Sequence, residues 1–209
     1  MENIASVTLE VADTAAAELF YSTAFGPGPQ LRLRAAEAAP TTGFRGFVLA
    51  LTVPQPADVD SFTESALGAG ATVLKPAAKS LWGYGAVLRA PDGTIWKIAT
   101  SAKKNTGPAT RRIDDIVLLL GVADVAASKK FYAGRGLAVA RSFGSRYVEF
   151  EAGGGQVKLA LYRHKALAKD VGVTPEGTAA HRLVLGGAAA DFTDPDGFAW
   201  EAAAPAHAR

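Results

Sequence analysis

The sequence predicts an α+β fold made by tandem duplication, and three observations carry that prediction. VADTAAAELFY (Val11–Tyr21) recurs as VADVAASKKFY (Val122–Tyr132). APDGTIWKIA (Ala90–Ala99) recurs as DPDGFAWEAA (Asp194–Ala203). The two landmarks keep their order and nearly one spacing, which defines a repeated unit of roughly 100 residues. Between the copies runs SAKKNTGPATRR, polar and broken by Gly107-Pro108, a linker by composition. The expected organisation is one copy over 1–101, a linker over 102–112 and a second copy over 113–209.

Each copy opens with a strand. Ile4–Val11 alternates apolar and polar residues, and Ile116–Val122 is a continuous apolar run. Asp13 and Asp124 follow where an N-cap belongs, because their carboxylates can accept the free N–H groups of a first helical turn. The Ala-rich segments behind them end in Phe20-Tyr21 and Phe131-Tyr132, which pack each helix on a sheet; Gly26 and Gly136 stop the helices. In the first copy, strands are expected near Gln30–Ala35, Phe47–Val53, Thr72–Leu74, Gly85–Arg89 and Ile95–Ala99, with a helix over Asp58–Gly68. In the second, strands are expected near Leu137–Phe143, Arg146–Glu151, Gln156–Tyr162 and Arg182–Leu185, then a turn at Asp194–Gly197 and a last strand through Trp200. Pro-Asp-Gly favours that turn, because Pro presets φ and Gly accepts a positive one. The copies have lost different parts. The first lacks a hairpin between Ala35 and Phe44; the second lacks a helix, since Gly186–Phe192 is too short to hold it.

Composition narrows the function classes. The 209 residues are 49% hydrophobic, enough for a sizeable core. Net charge is +2, and the densest basic group (Lys103, Lys104, Arg111, Arg112) reads as a solvated linker, not as a nucleic-acid or membrane surface. GFRGF (Gly43–Phe47) and Arg32 with Arg34 are too sparse for nucleic acid. With no cysteine, disulfides and thiolate chemistry are excluded. No leader-like or membrane-spanning stretch stands out, so the expected location is the cytoplasm. EAGGGQ (Glu151–Gln156) lacks the Lys-Ser/Thr of a phosphate loop and reads as a hairpin turn. There is no G-x-S-x-G elbow.

The order strand, VxD, helix ending FY, mixed strands, then DPDG and a Trp-containing strand resembles the vicinal oxygen chelate superfamily: glyoxalase I, bleomycin-resistance proteins and extradiol dioxygenases. LKPAAKSLWGYGAVLRAPDGTIWKIA (Leu74–Ala99) is similar to compact glyoxalase-like proteins of bacteria. The resemblance implies tandem domains of βαβββ modules whose mixed sheets curl into cups. In metal-using members, His and Glu side chains in the cup hold one divalent ion. The matching positions here are Ser6, Val48 and Lys97 in the first copy, and Val117, His181, Glu201 and the vicinity of Leu159 in the second. The first copy keeps no ligand. The second keeps His181 and Glu201, and Asp115 shares a strand face with Val117. Such a set suits Fe²⁺, Mn²⁺, Ni²⁺ or Zn²⁺ acting as a Lewis acid. The competing reading makes His181 an exposed strand start and Glu201 a solvent-facing strand residue. His164, in YRHKALAKD, reads as a basic surface turn, and His207 as part of the tail.

Candidate cup-lining residues are Ser6, Thr8, Arg45, Trp82 and Tyr84 in the first copy, and Tyr147, Tyr162, His181 and Trp200 in the second. Aromatic walls with a few polar groups suit a planar or amphipathic ligand, against the alternative that these residues fill a closed core. Three functions follow. The leading expectation is a metal-free small-molecule binder of the sequestering, resistance-protein type, without a cofactor. The second is a metal-dependent lyase, epimerase or dioxygenase using the second copy. The third is a degenerate scaffold. The expected partner is a small molecule, with neither nucleic acid nor membrane, and a homodimer is compatible with the fold.

Overall fold

Both predicted aspartate caps form. Asp13 accepts from the Ala16 N–H at 2.9 Å, and Asp124 from Ala126 and Ala127, so helices start at the same place in each copy. The computed structural model describes residues 4–26, 28–36, 42–153, 157–177 and 180–202. The elements are β1 (Ser6–Val11), α1 (Thr14–Ala24), β2 (Leu31–Ala35), β3 (Phe47–Thr52), α2 (Pro56–Gly68), β4 (Thr72–Ser80), β5 (Gly83–Arg89), β6 (Ile95–Thr100), β7 (Asp115–Val122), α3 (Val125–Gly134), β8 (Val139–Phe143), β9 (Tyr147–Phe150), β10 (Val157–Arg163), α4 (His164–Val171), β11 (Leu183–Ala188), β12 (Phe192–Thr193) and β13 (Ala199–Ala202). No described helix is long and apolar enough to cross a membrane.

The strands form two mixed sheets, and both are shared between the copies. Eight strands run in the order β4-β5-β6-β3-β7-β10-β9-β8, and five in the order β12-β13-β11-β1-β2. The large sheet joins two complete βαβββ modules through the antiparallel pair β3·β7, with Ala50 opposite Val117. The small sheet joins two shortened modules through β1·β11. In both complete modules the first and last strands are parallel neighbours, β3 with β6 and β7 with β10. β2 is likewise parallel to β1, so it is the last strand of its module. The hairpin missing from the first copy is therefore omitted ahead of β2, between α1 and Leu31, not between Ala35 and Phe44 as the sequence suggests. Residues 37–41 of that stretch lie outside the described residues, as do 154–156 of the EAGGGQ turn and His207.

The repeated landmarks turn out to be each other's partners. Tyr21 on α1 donates to Asp92 Oδ2 at 2.8 Å, and Tyr132 on α3 donates to Asp194 Oδ2. Each Tyr thus ties the helix of one sheet to the Pro-Asp-Gly turn of the other sheet. The two ties use different aspartates of the turn. In the second copy Ser128 engages Asp196, leaving Asp194 for Tyr132. In the first copy Ala17 and Ala90 occupy the positions of Ser128 and Asp194, and Asp92 takes the Tyr itself. Trp96 and Trp200 pack beside these tyrosines with ring centroids 5.7 and 5.6 Å away, each 1% exposed. Their repeated position is a packing position.

The linker is exposed, as its composition suggests, but it is tethered to the fold. Buried Gln55 accepts from Thr106 and Gly107 and donates to Pro108 O. Fully buried Asp58 accepts from the backbone of Thr110 and Arg111. The Arg111 guanidinium lies 4.5 Å from the Phe62 ring centroid and donates to Ala24 O. The strap is fastened along α2.

Strand alternation sorts the large sheet into two faces. Leu49, Leu51, Leu88, Trp96, Ile98, Leu118, Leu120 and Leu161 join the main core with α1, α2 and α3. Val48, Val87, Ile95, Leu119 and Ala160 face the other way, toward the inside of the cup. That inner face is not open throughout. α4 lies on it, with Leu167, Ala168 and Val171 fully buried against these residues. HKALAKDVG is therefore a helix, not a surface turn. It ends at Gly172, whose φ of 79° is the left-handed cap that favours glycine.

Candidate functional site

The cup of the large sheet has an apolar floor bearing two ammonium groups. Reading across the strands, Val87, Lys97, Ala50, Val117 and Lys158 stand in one row. Lys97 Nζ meets Asp170 Oδ2 of α4 at 2.8 Å, and Lys158 Nζ meets Asp115 Oδ2 at 2.8 Å. Lys75 of β4 donates to the Lys169 and Asp170 carbonyls, the negative end of the α4 dipole. Leu159, near the remaining mapped ligand position, faces the main core instead.

On the second copy's side of the floor, Tyr147 and Tyr162 meet edge to face at 4.9 Å, and Tyr147 donates to Glu149 at 2.6 Å. Burial, then Glu149, holds the Tyr147 phenol far above its ordinary value. Burial, then the charges of Asp170 and Glu149, raises Tyr162. Both phenols stay protonated near neutrality, so they serve as walls and donors, not as bases.

Beside α4 the cup stays open. A groove of about 480 Å³ lies between the helix and β4–β6, lined among others by Lys75, Lys79, Trp82, Lys97, Thr100 and Asp170. Trp82 stands at the tip of the β4–β5 hairpin, 85% exposed. At the other end of α4 is a wider opening of about 780 Å³, lined by Arg163, His164, Lys165 and His181 among others. Its polar groups are mostly engaged: Arg163 with Ser145, His164 with Pro175 O, and His181 with two carbonyls.

The predicted site residues divide among several places. Tyr147 and Tyr162 line the cup, and Trp82 rims the groove. Tyr84 is also among the residues lining the groove, while its hydroxyl donates to Asp60 of α2 at 2.8 Å. Arg45 donates to Asp92 O at 2.7 Å and so grips the first Pro-Asp-Gly turn. Ser6 and Thr8 lie on β1 of the small sheet, opposite Gly186 and Val184. The residues missed in the sequence are Lys75 and Lys79 of β4 and Asp170 of α4. An amphipathic α4 pattern (Leu167, Ala168, Val171, then Gly172) was the available signal for Asp170.

A divalent ion of the kind the resemblance implies finds no matching donor set. His181 turns Nδ1 to Arg45 O (2.7 Å) and Nε2 to Asp196 O (3.1 Å), and its ring stacks on Phe198 at 3.8 Å. Glu201, on the small sheet, is held by Arg34 at 2.7 Å. Asp115, on the large sheet, is paired with Lys158. Asp115, His181 and Glu201 do not converge, and no three His, Asp or Glu among the described residues group as a metal site.

No protein-family model and no curated protein matches the sequence. Solved structures do match. A glyoxalase I variant from Zea mays aligns over 96% of this chain and 93% of its own, with TM-score 0.63 and 16% identity. Another glyoxalase I structure from Zea mays aligns over 89% and 74%, with TM-score 0.59 and 17% identity. A putative dioxygenase from Bacillus subtilis aligns over 94% and 72%, with TM-score 0.53 and 12% identity. At such identities the likeness concerns the fold.

Proposed function

We propose that this chain, which has the glyoxalase/bleomycin-resistance/dioxygenase fold of the vicinal oxygen chelate superfamily, is a metal-independent small-molecule binder. Its proposed site is the groove beside α4. The observation that carries the reading is an open cavity of about 480 Å³ on the cup face, rimmed by an exposed Trp82. An indole left in solvent at the mouth of a cavity offers a flat apolar surface for a planar ligand. The bound ligand would lie between the hairpin and α4, stacked on Trp82.

Trp82 also supplies the readout, because Trp96 and Trp200 are each 1% exposed. Titration with planar amphipathic compounds is expected to give a saturable change in tryptophan emission that Trp82→Phe removes. A change that survives in Trp82→Phe, or none with any compound, refutes the groove as the site.

A scaffold is the second reading, favoured by α4, which fills part of the cup with Leu167, Ala168 and Val171. It predicts no saturable ligand. A metal-dependent lyase, epimerase or dioxygenase would need Asp115, His181 and Glu201 on one ion. Their engagement with Lys158, two carbonyls and Arg34 weighs against it. Elemental analysis after soaking in Ni²⁺, Mn²⁺, Fe²⁺ or Zn²⁺ is expected to find no stoichiometric ion. About one ion per chain, lost in Glu201→Gln, would reinstate the enzyme reading.

A further inference from the structure

We infer that the groove selects ligands carrying a carboxylate beside a planar ring, that Lys97 is the anion-binding group, and that Asp170 of α4 is a built-in competitor for it. This inference rests on the groove being the binding site. Three ammonium side chains line it, Lys75, Lys79 and Lys97, against one carboxylate, Asp170. The three have different partners. Lys75 is engaged by the carbonyls at the end of α4. Lys97 is engaged by Asp170. The Lys79 side chain is exposed and makes no hydrogen bond or ion pair among the described residues. A neutral ligand would leave this excess positive charge uncompensated, and an anion would complement it.

The Lys97–Asp170 pair is built for exchange. The two side chains are 31% and 42% exposed, and a pair so open to water contributes little to stability. A ligand carboxylate can therefore replace Asp170 on Lys97 at small cost to the fold. The anchor of Lys97 is rigid, since it rises from β6 between Val87 and Ala50 on the sheet floor. Trp82 would hold the ring while Lys97 holds the charge. The exchange on Lys97 is near balance, and the ligand's gain comes from bringing a second negative charge beside Lys75, Lys79 and Lys97; a tenfold preference corresponds to about 1.4 kcal/mol.

The test is calorimetric titration of the full chain with 2-naphthoate and with 2-naphthylmethanol, which share a ring system and differ in charge. Wild type is expected to bind the carboxylate at least roughly tenfold more tightly than the alcohol. Lys97→Met should abolish that difference, and Asp170→Asn should tighten the carboxylate alone. Both variants alter partly exposed side chains, and circular dichroism will confirm their folding. Equal affinity of wild type for both probes, or discrimination that persists in Lys97→Met, overturns the anion selectivity and leaves the groove reading intact. Binding of neither probe overturns both.

Discussion

Replacing Asp58 with alanine is expected to lower the unfolding free energy by roughly 3–5 kcal/mol. Asp58 is 0% exposed on the first turn of α2, and its Oδ1 accepts from the N–H groups of Thr110 and Arg111 and from the Thr110 hydroxyl. Hydrogen bonds to a carboxylate contribute about 1.5–3 kcal/mol, and each buried donor left without a partner costs about 1–3 kcal/mol. The variant loses the first at two backbone groups and a hydroxyl, and leaves the strap to Gln55 and the Arg111 side chain. Arg111, at φ 54°, relies on those bonds to keep a left-handed backbone. Asp58→Asn keeps an acceptor oxygen and should cost less than half as much. Urea unfolding followed by circular dichroism decides the matter. An alanine variant within about 0.5 kcal/mol of wild type would mean that the strap contributes nothing to the fold.

The same strap shows where the sequence is legible and where it is not. Gly107-Pro108 and the polar run around it mark a linker correctly as a break in periodicity. Nothing local says that Gln55 and Asp58, some fifty positions earlier, reach across to fasten it. Helix starts at Asp13 and Asp124, the turns at Pro-Asp-Gly and the duplication itself are all short-range signals, and they read true. β2 lies close to its predicted place, yet its partner does not follow from its residues, because parallel pairing with β1 is a tertiary choice. α4 escapes for a related reason. A helix of 8 residues is marginal by itself, and its Leu167, Ala168 and Val171 become decisive only against the floor of the cup.

The site follows the same division. Lys97 is recognisable in the sequence as a residue that would repel a cation, but it reads as a solvent-facing strand residue. Its partner Asp170 lies 73 positions away on a helix that the sequence does not announce. Aromatic type singles out Trp82, Tyr147 and Tyr162, which stand at the groove's rim and on the inner side of the large sheet. It cannot say where a side chain's polar end goes, and the Tyr84 hydroxyl, two positions after Trp82, reaches Asp60 of α2. Ser6 and Thr8 share a chain segment with the other first-copy candidates but not a sheet, because the modules pair across the copies.

Raising the pH above 10 is expected to unfold the protein steeply, and the buried Tyr21 and Tyr132 contribute a large part of that loss. Both phenols, 3% and 0% exposed, are pushed well above the ordinary value of 10.0, first by burial and then by the charges of Asp92 and Asp194. The native protein therefore keeps both of these protons where the unfolded chain gives them up from about pH 10, as it also does at the raised Tyr147 and Tyr162. A raised folded value means stability that is complete below the unfolded value and is lost as pH rises toward the folded one. Each tyrosine contributes a slope of about −1.4 kcal/mol per pH unit in that window, so the pair gives roughly −2.7 kcal/mol per unit. Tyr21→Phe and Tyr132→Phe should each make the slope shallower by about 1.4 kcal/mol per pH unit. Each should also lose about 1.5–3 kcal/mol below pH 10, because the hydroxyl that ties one sheet's helix to the other sheet's turn is gone. Unfolding free energies measured in urea from pH 8 to pH 11.5 separate the two effects. A flat profile above pH 10 in wild type, or an unchanged slope in both variants, would mean that the two Tyr–Asp ties are not what the alkaline limit reads. Their failure at high pH would release both sheets at once, since each tie spans from a helix on one sheet to the Pro-Asp-Gly turn of the other.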